Sequence, residues 1–341
     1  MAIAIAIAKK NTAKTPEVIL PAYGCPDLVA AVLAQEAKPV LVDLVPGAPF
    51  MDLEQLKKAI SSTTVALVGV GLLGIPERLD RLSQLCQDSG VTLIEDSAQC
   101  FPPASNRRQW ADLIVLSFGR GKPVNLMGGG ALLVRRNNLA LAKQILEQFP
   151  LLEMKIGLGW KVKRMVFNLF LRRFPYFLLE KLPGLDIGET KFRALEEARR
   201  VALPEQLVFS GIHQFRKRLP IHRSYLAQLQ LLKQAGWDFL DEETPSSNAQ
   251  SVPRNRFAIL APSAHKRDLA ERALNRAGIG ASSFYRCILP EIDGVPEITG
   301  ASSYPNARKF SDRLLTLPCH EDVTEADIAL AAEVLIRSSQ D

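Results

Sequence analysis

The sequence has little of what would mark a metalloprotein, a disulfide-stapled domain or a membrane span. Its four histidines are scattered and none belongs to an H-E-x-x-H arrangement, so no metal site is expected. Five cysteines stand at 25, 86, 100, 287 and 319. Their number is odd and no two have C-x-x-C spacing, which fits reduced thiols in a cytoplasmic protein. Aromatic residues make up 7% of the chain, and no basic tract reads as an aromatic-studded platform for RNA, so no nucleic-acid partner is expected. The apolar start, Met1 to Ala8, is short and its charges, Lys9 and Lys10, follow rather than precede it, unlike a secretory signal.

What the chain does have is ordinary for a soluble globular protein: 47% hydrophobic and 23% charged residues over 341 positions, enough for two domains. The net charge of +6 is mild and favours anionic ligands or anionic surfaces. Short, nearly all-apolar runs recur at Val18–Leu20, Val40–Val42, Val65–Val70, Val91–Ile94, Leu113–Leu116 and Ala131–Val134. Helical patterns lie between several of them, at Asp52–Ile60 and Glu77–Asp88. Buried strands alternating with helices imply an α/β fold with a mostly parallel sheet. The Ala/Ile alternation of residues 2–8 fits a strand by its period and a helix by its alanine content.

Two stretches carry candidate chemistry. Ser117 ends one apolar run, and Lys122 follows in a loop bracketed by Gly119, Gly121 and Gly128 to Gly130. A lysine in a tight turn between buried strands is poorly solvated, which suits an amine nucleophile; a lysine that merely snorkels to the surface is the bland alternative. Glu95 and Asp96 end another run and lead into Ser97-Ala98-Gln99. An acid at the carboxyl end of a parallel strand faces the crevice where α/β folds bind ligands. A strand-end aspartate, a strand-end serine and a loop lysine are what a pyridoxal phosphate (PLP) site needs: a pyridinium partner, a phosphate ligand and a Schiff-base amine. Asp96 as a helix N-cap and Gln99 as a surface glutamine remain the structural alternatives.

A competing pattern is Gly69-Val70-Gly71-Leu72-Leu73-Gly74, a G-x-G-x-x-G after an apolar run, with Glu95 and Asp96 about twenty residues on. It would make the protein an NAD-binding oxidoreductase. Pro76 places the helix start beyond the glycines, and the pattern leaves Ser117, Lys122 and Gly129 without a role.

The segment from Val18 to Val134 resembles the DegT-type sugar aminotransferases, PLP enzymes of fold type I. The resemblance rests on Leu20-Pro21-Ala22-Tyr23, Lys38 to Asp43, Glu95 to Gln99, and Ser117-Phe118 with Lys122 and Gly129-Gly130. Near the other end, Arg276 to Gly280, Pro305-Asn306-Ala307, Leu315 to Pro318 and Thr324 to Asp327 are similar too. The resemblance implies a large PLP-binding domain with a mostly parallel sheet flanked by helices, over residues 1–145. It is followed by a basic and aromatic helical insertion, 146–201, and a smaller α+β C-terminal domain, 202–341. It implies pyridoxal 5'-phosphate as cofactor, Lys122 and Asp96 as catalytic groups, and Gln99 and Ser117 as further cofactor ligands. The implied activity is amination of a nucleotide-activated keto-sugar for amino-sugar and polysaccharide biosynthesis, with glutamate as donor, in a cytoplasmic homodimer. The beginning of residues 2–8 looks like the helix before the Pro-Ala-Tyr strand, entered after the family's Ser-Gly-Thr phosphate cradle.

The chain departs from the family at several points. Gly24 and Cys25 stand where threonine and a ring-covering aromatic are usual, Met127 replaces a glycine, and no Asn-x-Arg-Met-Ser loop is found near Ala202-Leu203-Pro204. A catalytically weak or inactive relative is the reading these departures favour. Between Trp160 and Leu182, Phe, Tyr, Lys and Arg mix, with Lys161, Arg164, Asn168 and Arg172 on one helical face. Such a helix packs on protein or lies on the inner face of a membrane. The remaining elements of the C-terminal part are a long helix from Ala202 to Ala235, a strand at Phe257–Leu260, a helix at Lys266–Ala277 and a last helix after Thr324, whose spacing to Asp327 resembles a capping box.

Overall fold

Branched residues bounded by glycine, proline and acidic residues build the central sheet, because such runs satisfy their backbone only by pairing with like runs. The computed structural model describes residues 1–9, 15–106, 108–170, 190–240, 252–298 and 303–340. The chain divides into two compact units, each discontinuous in sequence. The first is made of Met1–Met154, Thr190–Gly211 and Cys287–Arg308; the described parts of Lys155–Glu189, Ile212–Arg286 and Lys309–Asp341 make the second.

The first unit holds a six-stranded sheet: β1 (Glu17–Pro21), β2 (Lys38–Val42), β3 (Thr64–Val70), β4 (Thr92–Asp96), β5 (Leu113–Ser117) and β6 (Gly130–Val134). Their spatial order is β2-β1-β3-β4-β5-β6, with β1 to β5 parallel and β6 antiparallel to β5. Every expected strand of this domain is present. The chain passes from β1 to one side for β2 and returns to the other side for β3, so the order reverses beside β1. Open α/β sheets bind ligands outside the carboxyl ends of strands at such a point.

The helices of this unit are α1 (Ala2–Lys9), α2 (Pro26–Leu33), α3 (Leu53–Ala59), α4 (Leu79–Ser89) and α5 (Leu139–Leu146). Asp52 caps α3, accepting from the N–H groups of Glu54 at 2.9 Å and Gln55 at 3.1 Å. The alternating start of the chain is helical: Ala4, Ile5, Ile7 and Ala8 are all buried, and a helix covered on most sides needs no amphipathic period. Ile19, Leu67, Leu79, Leu82, Cys86 and Leu93 form the core between sheet and helices.

In the second unit, β9 (Asp238–Phe239), β10 (Arg256–Leu260) and β11 (Leu314–Pro318) form an antiparallel sheet in the order β11-β10-β9. Tyr225 stacks on Phe257 at 5.1 Å in its core. The last helix, Glu325–Gln340, opens with the expected box: Asp327 Oδ2 accepts from Thr324 N at 3.0 Å, and Thr324 Oγ1 accepts from Asp327 N at 3.2 Å.

Two expectations fail. The long helix from Ala202 to Ala235 is broken into Glu205–Arg216, His222–Gln228 and the 3-10 turn Gln230–Ala235. Pro220 has no N–H to continue the first helix and biases Leu219 away from helical geometry. The stretch after residue 150 also contains more than helices: Leu151–Glu153 (β7) pairs in parallel with Arg200–Ala202 (β8). Three-residue strands are too short to leave a period in the sequence. Of the basic aromatic segment, α6 (Leu158–Phe170) is described; residues 171–182 lie outside the described residues. The apolar side chains of α6, including Leu158, Val162, Met165 and Leu169, are exposed, while Arg164 lies over the Trp160 ring.

Candidate active site

Asp96 is the last residue of β4, in register with Val70 of β3 and Val115 of β5. It is buried, and its Oδ1 accepts from Ala98 N at 2.9 Å. That bond closes a turn, and no α-helix opens after it, so the helix-cap alternative does not hold. Burial pushes the Asp96 carboxyl above the ordinary carboxylate range; the Ala98 N–H, the α-amino group at Met1 and the Lys122 ammonium draw it back, and Glu95 adds to the rise. The same burial holds the Met1 amine below its usual value, against the attraction of Asp96. The Met1 amine and the loop lysine therefore both act electrostatically on this one carboxyl.

Ser117 ends β5 one strand further across the sheet, with its Oγ 3.5 Å from Gly119 N. Lys122 is half-buried, and its N–H donates to the Gly119 carbonyl at 3.3 Å. A Cβ built on Gly119 would sit 3.6 Å from Ser117 Oγ and 3.9 Å from Lys122 Cγ, so hydroxyl and lysine stem converge on that glycine. Around them the loop is pinned. Phe118, itself buried, donates to the Gly129 carbonyl at 2.9 Å and accepts from Leu126 N at 2.9 Å and Gly128 N at 3.1 Å. Met127, in the place of a family glycine, holds φ at +66°, with its N–H bonded to Asn125 Oδ1 at 2.9 Å. The left-handed turn is thus kept by a residue that adopts it at a cost. Gly130 has no such freedom: a Cβ there would lie 2.4 Å from the Leu116 carbonyl.

Gln99 is half-buried, and its Oε1 accepts from Leu73 N at 2.9 Å. One of its tasks is thus to join the loop after β3 to the loop after β4. Glu95, adjacent to Asp96, points to the opposite face as strand geometry requires. Its carboxylate accepts from Ser97 Oγ at 2.6 Å, Ala104 N at 2.7 Å and Ser105 N at 3.0 Å. This residue anchors residues 97–105 beneath Asp96, a role the sequence reading missed. Two neighbouring acids at a strand end, necessarily on opposite faces, were the available signal.

The G-x-G-x-x-G pattern has no dinucleotide geometry. β3 ends at Val70, Leu72 and Ile75 bridge to each other, and α4 opens only at Leu79. No helix N-terminus is aimed from the glycines at a pyrophosphate. Gly69 instead lies against Leu79 and Leu82, and Gly71 against Cys100.

The donor set suits PLP in kind: a buried acid for a ring N–H, a primary amine, and a hydroxyl beside a backbone N–H for phosphate. One expected feature is missing in substance. Cys25, which precedes α2, supplies neither a capping bond nor the flat aromatic cover usual above the ring.

The sequence pattern of the DegT/DnrJ/EryC1/StrS aminotransferase family matches residues 1–157 and 212–335. The chain belongs to that family. It is 32% identical over 130 residues to the UDP-2-acetamido-2-deoxy-3-oxo-D-glucuronate aminotransferase of Pseudomonas aeruginosa, covering 37% of this chain and 36% of that one. Over 121 residues it is 31% identical to the UDP-N-acetyl-3-dehydro-alpha-D-glucosamine 3-aminotransferase of Acidithiobacillus ferrooxidans, covering 35% of this chain and 33% of that one. The matches thus span about a third of these relatives' length. Among solved structures, Helicobacter pylori PseC, an aminotransferase of pseudoaminic acid biosynthesis, superposes with a TM-score of 0.71 at 17% identity, over 99% of this chain and 85% of that one. The PMP form of the sugar aminotransferase Spr1654 from Streptococcus pneumoniae gives 0.72 at 18% identity, over 99% and 85%. The fold is therefore that of the fold type I PLP-dependent transferases.

Proposed function

We propose that the protein is a PLP-dependent aminotransferase that aminates a nucleotide-activated keto-sugar, with glutamate as amino donor. The observation that carries this reading is the convergence of Asp96, Ser117 and Lys122 at the carboxyl edge of the sheet, in a chain of this family. Both curated relatives are named for UDP-linked oxo-sugars, which supports a substrate of the same class. Bound PLP would supply an electrophilic carbonyl and an electron sink. Lys122 Nζ would hold the cofactor covalently and move the proton at the substrate's reacting carbon. Asp96 would keep a proton on the ring nitrogen, since a buried carboxylate favours a cation beside it. Ser117 Oγ and the Gly119 N–H would bind the phosphate, and Gln99 would lie near the ring's oxygen substituent.

A homodimer is part of this proposal. The exposed apolar side chains of α6 are the kind of surface that a second subunit covers. Lys161 and Lys163, exposed on the same helix, support instead a peripheral contact with the inner face of the membrane. Among the described residues no helix is long and apolar enough to cross a membrane. Light scattering at micromolar concentration, with and without anionic vesicles, separates the two.

A second reading, a relative that holds PLP without turning it over, is favoured by Cys25 in the place of the covering aromatic. The test takes purified protein with PLP. An absorbance band near roughly 400–430 nm, absent in Lys122→Ala, is expected for covalent attachment. Glutamate should then convert the bound PLP to its aminated form. A spectrum unchanged by the substitution would remove Lys122 from the site; a Lys122-dependent band without conversion would favour the inactive relative.

A further inference from the structure

Arg135 follows β6, and two of its guanidinium nitrogens have no use within the protein. Nε and Nη2 are shut off from solvent and have no hydrogen-bond partner among the described residues. Together they form the side-on fork that carboxylates and phosphates engage in a bidentate grip. A buried donor without a partner costs stability, the more so when it carries charge, so a fork left idle in this way calls for an explanation.

In this conformation the two nitrogens face protein rather than open space, but the side chain that carries them borders a cavity. Arg135 lines a cavity of about 380 Å³ together with Ser83, Cys86, Trp110, Asp112 and Asn138. That is within the size range of sites for small organic ligands. Asp112 uses Oδ2 to accept from Leu93 N at 3.0 Å, which leaves Oδ1 as an acceptor. Trp110 contributes a half-buried ring. Burial, aided by Asp112, pushes the Cys86 thiol up to about 12, so this wall is a neutral thiol rather than a thiolate.

The cavity is not the candidate active site. Thr92 and Leu93, which also line it, begin β4, and Asp112 immediately precedes β5. Asp96 and Ser117 end those same strands. The two places are at opposite ends of the same strands, separated by roughly 13 Å of strand.

We propose that this cavity binds a small molecule carrying one carboxylate or phosphate, held by the Arg135 fork, and a hydroxyl that donates to Asp112 Oδ1. The fork reaches the anion by turning about its own flexible side chain into the space it lines. The ring of Trp110 forms the apolar wall. The proposal does not depend on the aminotransferase reading.

The experiment uses the full chain with saturating PLP, which occupies any phosphate site near Ser117. Inorganic phosphate and L-lactate are titrated separately at constant ionic strength, with tryptophan fluorescence and melting temperature as readouts. At least one probe should give a saturable fluorescence change and a rise in melting temperature. A response to phosphate alone identifies the ligand group as a phosphate, and a response to lactate alone identifies a carboxylate. Arg135→Gln should weaken the response at least tenfold. Trp110→Phe should lose the fluorescence change yet keep the rise in melting temperature, which locates the binding. If Arg135→Gln does not fold, Asn138→Asp, which adds a negative charge to the wall, should abolish the response instead. The proposal is overturned by the absence of a saturable response to either probe, or by a response that survives these charge changes.

Discussion

Gly71 donates its backbone N–H to the Asp96 carbonyl at 2.9 Å, locking the turn after β3 to the end of β4. The glycine is required there by space. A Cβ at this position would lie 2.5 Å from Cys100 Sγ and 3.1 Å from Cys100 Cβ. A motif that imitates a dinucleotide fingerprint is thus a packing device for the loop that carries Asp96.

Gly71→Ala should therefore push residues 96–100 out of place, lowering stability by about 1–3 kcal/mol, the usual cost of overpacking a tight core. PLP binding should weaken with it. Cys100→Ala removes the nearest atom, so the double variant should recover most of the loss. Urea denaturation of the two single variants and the double variant measures this coupling. Purely additive effects would sink the steric account.

Glu95 gives a second case in which a neighbour of the candidate catalytic acid serves the scaffold. Its carboxylate satisfies the Ser97 hydroxyl and two backbone N–H groups, those of Ala104 and Ser105. Glu95→Ala leaves three donors, those of Ser97 and Ser105 buried and that of Ala104 partly so, without an acceptor and should cost about 3 kcal/mol. Glu17, at the start of β1, whose carboxylate accepts from Ser61 Oγ at 2.6 Å and Thr63 Oγ1 at 2.9 Å nearer to solvent, is the control: Glu17→Ala should cost about 1 kcal/mol or less. Equal losses at the two sites would mean that Glu95 is not the anchor described.

These residues also show what could be read in advance and what could not. The strands were legible because branched apolar runs between turn formers admit one pairing state, and strand ends and glycine loops marked Asp96, Ser117 and Lys122 as candidates at the ligand end of an α/β sheet. Glu95 was not, because an acid's role depends on which face of the strand it occupies and what backbone waits there. Gly71 misled, since a sequence pattern records glycine spacing but not the cysteine that demands it. The idle fork of Arg135 has no sequence signature at all; the first of two arginines after a strand looks like any other surface cation.

Asp96 separates the catalytic from the structural account most sharply, because its charge has opposite consequences with and without cofactor. Burial raises its carboxyl above the ordinary value. In the PLP-free protein the folded state therefore binds a proton that the unfolded state has released. Stability is then greatest in acid, falls as pH rises from about 4 through the raised folded value, and stays reduced above it. Asp96→Asn keeps the oxygen that accepts from Ala98 N and removes the ionisation. Without PLP the variant should lack this fall and melt ~2–4 °C above the wild type near pH 7.5. With PLP the order should reverse, since only the carboxylate pairs with a protonated ring nitrogen. Conversion of bound PLP by glutamate in a single turnover should drop by orders of magnitude in the variant, because the weakened electron sink slows proton removal. Melting curves across pH, with and without PLP, and rapid-mixing absorbance together decide the matter. Identical pH profiles and equal single-turnover rates would show that Asp96 only closes its turn through the Ala98 N–H.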